Sequence, residues 1–191
     1  MKNSLGAKTI AVPTPVWLVG TYDKAGKPNL AAIAWGGICC SDPPAVTVSL
    51  RKARYTYDAI MERKAFTINI PSEAYAAAAD YTGIASGRNA DKFAIAGLTP
   101  VKSDLVDAPY VEEFPLVLEC RLLQTLEIGV HTQFIGEIID VKAEDDVLDA
   151  NGVPDAAKVA PIVYSPSDSL YYGLGKVLGK GFDIGMGLVK R

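Results

Sequence analysis

Apolar and polar positions alternate along much of this chain in short runs separated by turn residues, and that rhythm is the first structural signal. Residues 15–23 (PVWLVGTYD) form an apolar-rich run, and Asp23-Lys24-Ala25-Gly26 behind it is turn chemistry closed by a glycine. Residues 27–38 read as a second strand, so the two runs predict a β-hairpin. Asp42-Pro43-Pro44 interrupts the chain, and residues 45–50 (AVTVSL) alternate as a half-buried strand does. After a basic connection, Thr56 is a candidate N-cap for a short helix through Lys64, with Asp58 placed to complement the free N–H groups of its first turn. Residues 65–70 (AFTINI) predict another strand, closed by Pro71. Ser72 is a candidate cap for a second helix, alanine-rich at positions 76–79.

Residues 83–91 (GIASGRNAD) predict a loop and residues 93–98 a short helix or turn. Two long runs, 115–127 and 130–143, predict a second pair of strands, with Gly129 suited to the turn between them and Gly136 to a bulge. Residues 149–152 predict a turn and residues 162–164 a last strand. From about residue 171 the chain becomes a glycine-rich tail carrying Gly173, Gly175, Gly179, Gly181 and Gly185. With no internal repeat or low-complexity linker, residues 1–191 read as a single domain with that tail. Many short strands and few helices predict a mainly β fold with short helices, an antiparallel barrel. The lack of regular βαβ alternation argues against a dinucleotide-binding parallel sheet.

Composition narrows the function classes. Hydrophobic residues at 49% and charged residues at 21% are the balance of a folded domain. A formal net charge of −3 without a long basic run argues against a general nucleic-acid binder, which needs a dense phosphate-neutralising patch. Apolar stretches are broken by charge, proline or glycine well short of a membrane span. Residues 1–15 lack the apolar core of a signal peptide, so the expectation is a cytoplasmic protein without a membrane partner. Cys39, Cys40 and Cys120 do not make a disulfide framework. The adjacent pair allows a strained vicinal disulfide, but small buried thiols are the simpler reading. A single histidine, His131, and no paired Cys/His spacing leave no metal site to expect.

Four segments could carry chemistry. In SLRKARYT (49–56) a strand passes into a helix start; Ser49 and Thr56 add hydroxyls, and Arg51, Lys52 and Arg54 add charge, a setting that suits a phosphate. Read alone, the segment is equally a solvated basic connection. Ser86-Gly87-Arg88, followed by Lys92, is a second basic loop in which glycine permits an unusual turn. Such loops also occur as plain surface connections, but two of them in one acidic chain strengthen the case for a phosphate ligand. Small residues across NLAAIAWGG (29–37) would let a flat ring approach the backbone, with Asn29 to hydrogen-bond and Trp35 to pack on it; a tightly packed strand pair with a core tryptophan fits as well. His131 opens a strand and could bond a ring edge or a phosphate, and Tyr164 with Tyr171-Tyr172 could line an aromatic pocket, although residues of these kinds commonly serve packing alone. GxSxG and GxxxxGK[ST] are both missing, which removes the common serine-hydrolase and P-loop chemistries.

Together these residues resemble the flavin reductase-like family, whose fold is the FMN-binding split barrel. The resemblance spans nearly the whole chain and rests on PVWLVGTYDKAGKPNLAAIAW (15–35), SDPPAVTVSL (41–50), RYTYDAI (54–60), FTINIP (66–71), SGRNADKF (86–93), GLTP (97–100), LECRL (118–122) and HTQFIGEI (131–138) in that order. It implies a Greek-key split β-barrel, a homodimer, and one FMN per subunit near the dimer interface. Carried over by position, Asn29, Ala34 and Trp35 would face the ring. Ser49, Leu50, Arg51 and Thr56 would meet the ring edge or phosphate, and Ser86, Arg88 and Lys92 would complete the anion site. His131 and Tyr164 would approach from the second half of the barrel, from the same subunit or across the dimer.

The expected function is therefore an FMN redox protein that takes electrons from NAD(P)H or a redox partner and passes them to an acceptor, as a reductase or as an electron carrier. Flavin carries that chemistry itself, so no catalytic acid or base is expected. A flavin- or haem-binding carrier or sensor without turnover, with His131 as the haem ligand, is the alternative. A pyridoxamine-phosphate oxidase relative would need a further basic cluster, which the sequence lacks.

Overall fold

The computed structural model describes residues 1–189 of the chain; residues 190 and 191, the end of the expected single domain, lie outside the described residues. A two-residue strand β1 (Thr14–Pro15) leads into β2 (Trp17–Tyr22), which turns into β3 (Pro28–Ile33) as the expected hairpin. Asp23 fixes the turn: its Oδ1 accepts from the N–H groups of Ala25 and Lys27, each at 2.8 Å, and Gly26 takes φ +81°, a conformation that a Cβ opposes.

The single strand expected over 27–38 is in fact two. β3 stops at Ile33, the chain bends through Ala34 and Trp35, and β4 (Gly36–Ser41) begins. Gly36 is required there, because a Cβ would lie 2.8 Å from Ile33 Cδ1 and 2.9 Å from Trp17 Cε3. β4 returns as β5 (Pro44–Leu50), so Asp42 and Pro43 close a hairpin. Then come α1 (Tyr55–Arg63), β6 (Ala65–Ile70), α2 (Ala76–Ile84), α3 (Lys92–Ala96), β7 (Pro100–Lys102), β8 (Pro109–Val111), β9 (Leu116–Ile128), β10 (His131–Ala143), α4 (Ala156–Val159), β11 (Val163–Ser165) and β12 (Leu170–Tyr172).

Seven of these strands form one antiparallel sheet in the order β3-β2-β6-β9-β10-β5-β4. That order forces a barrel. β3 and β4 are opposite edges, yet only Ala34 and Trp35 separate them in sequence. Six strand spacings of ~4.8 Å would hold flat edges roughly 29 Å apart, whereas three Cα steps reach only about 11 Å. The sheet therefore curls until its edges approach, without pairing: a split barrel. β9 and β10 wrap it as 13-residue strands, with Gly129 at φ +53° in their turn and a register shift at Ile135/Gly136. The expected bulge has a packing reason, since a Cβ on Gly136 would sit 2.5 Å from Phe66 Cζ.

Two cores result. Inside the barrel, Val19, Val48, Ile68, Phe66 and Phe134 pack with Ile60 of α1. Outside it, Leu18 and Leu30 pack with Ala79 of α2, Phe93 of α3 and Phe114. Each large apolar side chain so buried stabilises by about 1.5–3 kcal/mol. β2 and β3 are thus covered on both sides, which sets β3 as a rigid floor beneath the helices.

Several local expectations change. Thr56 does not cap α1; Arg54 occupies that position without a side-chain bond, and Thr56 is buried two residues on, within the first turn. Ser72 likewise makes no cap bond, and a short 3-10 turn, Glu73–Tyr75, intervenes before α2. The last strand has a partner the sequence pattern missed: β11 pairs with both β1 and β12, so Tyr171 and Tyr172 belong to a small sheet rather than to the tail. Cys39 and Cys40 are exposed free thiols rather than buried ones, while Cys120 is buried and its pKa is pushed up to about 12 by desolvation. Among the described residues no helix is long and apolar enough to cross a membrane, and no group of three or more His, Cys, Asp or Glu side chains is placed to hold a metal ion.

Candidate functional site

Two loops face each other across β3. Residues 51–54 carry β5 into α1, and residues 85–91 carry α2 into α3. Between them lies a cavity of about 370 Å³, floored by Ala31 and Ala32 and walled by Arg51, Arg54, Lys92, Thr56 and Ser86. None of the three cations has a carboxylate within ion-pair distance among the described residues, although most other charged groups near the loops do: Lys52 pairs with Glu127, Lys27 with Asp91 and Arg88 with Asp58. Lys92 is the extreme case. It is 5% exposed, and its Nζ donates to the carbonyls of Leu30 and Thr82, both at 2.7 Å. Burial, helped by Arg54, pulls its pKa down to about 8, since an ammonium loses hydration there and gains no counter-charge.

A buried relay stands behind the cations. Asn29 Nδ2 donates to Thr56 Oγ1 at 3.0 Å. The hydroxyl thus accepts from Asn29 and keeps its own proton free to donate toward the cavity. Asn29 Oδ1 has no partner and lies under Gly87, where a Cβ would come within 2.2 Å of it and 2.6 Å of Tyr55 Cδ1. Glycine is therefore the residue that lets the second loop close down on Asn29. Arg88 braces the two loops from outside: Nη1 donates to Ala53 O at 2.9 Å, and the guanidinium lies 5.4 Å from the centre of the Tyr55 ring. Tyr55 is tied in turn to Asp23 by a 2.6 Å bond.

Beyond Ala32 the groove changes character. One branch, about 160 Å³, is lined by Ala34, Trp35, Ser49, Leu50, His131 and the shared Arg51. The other, about 340 Å³, runs over Ala32, Ile33 and Ala34 to Ile84, Tyr164 and Tyr171. The two tyrosine rings are 5.4 Å apart and tilted by 49°. Tyr171 donates to Asp80 Oδ1 at 2.8 Å, and burial together with that carboxylate pushes its pKa up, so the phenol stays neutral. Among the described residues no lysine or arginine lines this branch. Ala32 borders all three compartments, making one bent groove that is cationic at one end and aromatic at the other.

Ten of the residues singled out from sequence therefore line this groove, at Ala34, Trp35, Ser49, Leu50, Arg51, Thr56, Ser86, Lys92, His131 and Tyr164. Asn29 and Arg88 do not: the first sits behind Thr56, the second outside the loops. Arg54 and Asp80 join the groove without having been selected, and Tyr171, read from sequence as a candidate for an aromatic pocket, lies there as well. Arg54 was visible as one charge among several in a basic loop. Asp80 had no signal, because its partner is 91 residues away.

Known proteins are similar to this chain over most of its length. The family model described as flavin reductase like domain matches residues 9–171. The structure is similar to that of flavoredoxin of Desulfovibrio vulgaris (Miyazaki F), with a TM-score of 0.93 and 57% identity over 97% of this chain and 100% of that one. It is similar also to flavoredoxin from Methanosarcina acetivorans, with a TM-score of 0.91 and 31% identity over 98% of this chain and 100% of that one. An uncharacterised protein of Aquifex aeolicus is 28% identical over 80% of this chain and 81% of its own length. A split barrel whose unpaired edges flank a groove, matched by that model across most of its length, places this chain in the flavin reductase-like family, with a flavin-related redox role.

Proposed function

We propose that the groove holds FMN, with the phosphate among Arg51, Arg54 and Lys92 and the ring over the Ala32 to Trp35 floor, and that the protein passes electrons through it. The observation that carries this reading is the set of three cations without carboxylate partners among the described residues, in a chain of net charge −3. Desolvating an ammonium without a counter-charge is costly, and a phosphate would repair that cost while Thr56 and Ser86 donate to its oxygens. Behind them, Asn29 Nδ2 donates to Thr56 Oγ1 and so leaves that hydroxyl's proton free for the phosphate.

Bound flavin supplies one- and two-electron transfer. The chain's own contribution is to fix the phosphate, to present small residues where a flat ring needs a flat floor, and to keep a cation near that floor. Arg51 lines both the phosphate compartment and the Trp35 branch, so its charge favours an anionic reduced ring. His131 and Ser49 face the same branch and can hydrogen-bond a ring edge.

The electron source is a redox partner or NAD(P)H. The tyrosine branch has Asp80 as its acidic wall residue and, among the described residues, no cation, so it gives no purchase to the phosphates of a pyridine nucleotide, which favours a protein donor. A homodimer fits the tail: Val177, Leu178, Phe182 and Leu188 are each more than three-quarters exposed, and a second copy would cover them. Exposed free Cys39 and Cys40 suit a reducing, cytoplasmic compartment.

The test is the visible spectrum of the purified protein with identification of any released chromophore. Bands near roughly 370 and 450 nm are expected from an oxidised flavin, with FMN released. A colourless protein that also ignores added FMN overturns the assignment, and a Soret band would transfer it to haem. NADH or NADPH oxidation no faster than with free FMN separates the carrier from the reductase.

A further inference from the structure

The Lys92 ammonium lies where burial opposes charge, and its surroundings leave that charge unanswered. Two of its three N–H bonds go to Leu30 O and Thr82 O, and the side chain lines the cavity with one N–H to spare. Among the described residues, the cations around it have the wrong sign and the carboxylates have other partners. The 51–54 loop brings Arg51 and Arg54. From α1 come Tyr55, bonded to Asp23, and Asp58, which faces Arg88. β3 has no ionisable residue between Pro28 and Ile33. α2 carries Tyr81 and also Asp80, which accepts from Tyr171. The 85–91 loop brings Arg88, held on Ala53 O, and Asp91, which caps α3 through the Ala94 N–H and lies 3.8 Å from Lys27.

We propose that Lys92 makes the groove select a phosphate ester over the same flavin lacking its phosphate, and that Lys92 takes up a proton when the phosphate enters. The flavin part rests on the function proposed above; the proton part concerns any phosphate that reaches Lys92. With burial and Arg54 acting on the empty site, Lys92 discharges near pH 8. A phosphate beside Nζ supplies the missing counter-charge and favours the ammonium again. A ligand that binds the protonated form must then weaken as pH rises, and at alkaline pH its binding draws a proton from solution. The phosphate itself is fully ionised there, its second pKa being about 6, and guanidinium groups in general keep their proton in proteins. The proton is therefore the lysine's.

The experiment is calorimetric titration of the flavin-free full chain at pH 8.5 in two buffers of different ionisation enthalpy, using FMN, riboflavin and inorganic phosphate. Roughly one-half to one proton should be taken up per FMN, the same with inorganic phosphate, and none with riboflavin. The ratio of FMN to riboflavin affinity should fall above pH 8, approaching about tenfold per pH unit. Lys92→Arg keeps a charge that does not titrate, so it should bind FMN without proton uptake and with a flat ratio. Lys92→Met should lose most of the preference for FMN. No uptake in the parent protein, equal uptake with riboflavin, or unchanged uptake in Lys92→Arg overturns the proposal. Binding of phosphate with uptake while FMN fails to bind would leave Lys92 its role and remove the flavin reading; failure of both ligands removes both.

Discussion

The two ends of the groove are built on different principles. At the cationic end, three chain segments converge on β3, and their polar groups are buried, mutually positioned and electrostatically unsatisfied: Lys92 without a counter-charge, Asn29 Oδ1 without a donor, Gly87 without room for a side chain. At the aromatic end, Tyr171 and Asp80 satisfy each other, and the walls are half-exposed side chains of small strands and a helix surface. The first end carries positive charge that an anion would answer; the second is complete without a ligand. Binding energy and specificity should therefore reside at the cationic end, and substitutions should be felt in proportion to how much unsatisfied chemistry they touch.

The largest effect should come from titrating that end. In the flavin-free protein the folded-state pKa of Lys92 is lowered to about 8, whereas an unfolded lysine titrates near 10.4. Between these values the unfolded chain binds more protons than the folded one, so stability rises with pH. From pH 7 to pH 10 the gain is roughly 2–3 kcal/mol. Denaturant unfolding of the parent and Lys92→Met proteins, compared across that range, isolates it from other groups. A stability difference between them that stays constant with pH would mean that the ammonium is already compensated, and the contrast between the two ends would collapse.

Next is Gly87→Val. Its Cβ would meet Asn29 Oδ1 and the Tyr55 ring well inside contact distance. The second loop must lift, which costs about 1–3 kcal/mol, seen as a melting temperature several degrees lower. FMN affinity should fall with it. A smaller perturbation tests the relay: Asn29→Asp can only accept, so it claims the Thr56 proton and sets a negative charge behind the anion socket. FMN affinity should drop on the order of tenfold, the worth of one hydrogen bond to a charged group, while riboflavin affinity changes less. An equal loss for both flavins would place Asn29 at the ring after all.

How much of this was legible in the sequence follows from the range of the interactions. The β2–β3 hairpin, β6 and the β9–β10 pair are specified locally by alternation and by Asp23, Gly26 and Gly129, and they were readable. The break at Ala34 and Trp35 was not, because Gly36 answers to Trp17, a residue on another strand. Arg51, Thr56, Ser86 and Lys92 were chosen as a phosphate set from two basic loops, and the fold does gather them around one cavity. The distinction between a residue that faces the cavity and one that stands behind it was beyond reach. Arg88 looks like an anion ligand in sequence, yet its guanidinium is held by Ala53 O; Thr56 looks like a helix cap, yet it serves Asn29. Hydrogen-bond direction across 27 residues leaves no mark on a local pattern.

The smallest effect should come from Tyr171→Phe. The substitution removes one 2.8 Å hydrogen bond to Asp80 on a half-exposed surface and keeps the ring against Tyr164. Asp80 can turn to water, so the loss should be under about 1 kcal/mol, and FMN and riboflavin affinities should stay within about twofold of the parent's. Electron exchange is the more sensitive readout. Losing the hydroxyl leaves the Asp80 charge less masked, which should slow reduction by an anionic donor and leave a neutral one unaffected. Stopped-flow reduction of the flavin-loaded protein by dithionite, with a neutral reduced dye as the control, would register the difference. Equal rates in the two proteins would mean that electrons enter elsewhere than the tyrosine branch, and a large loss of flavin affinity would mean that binding energy is not confined to the cationic end.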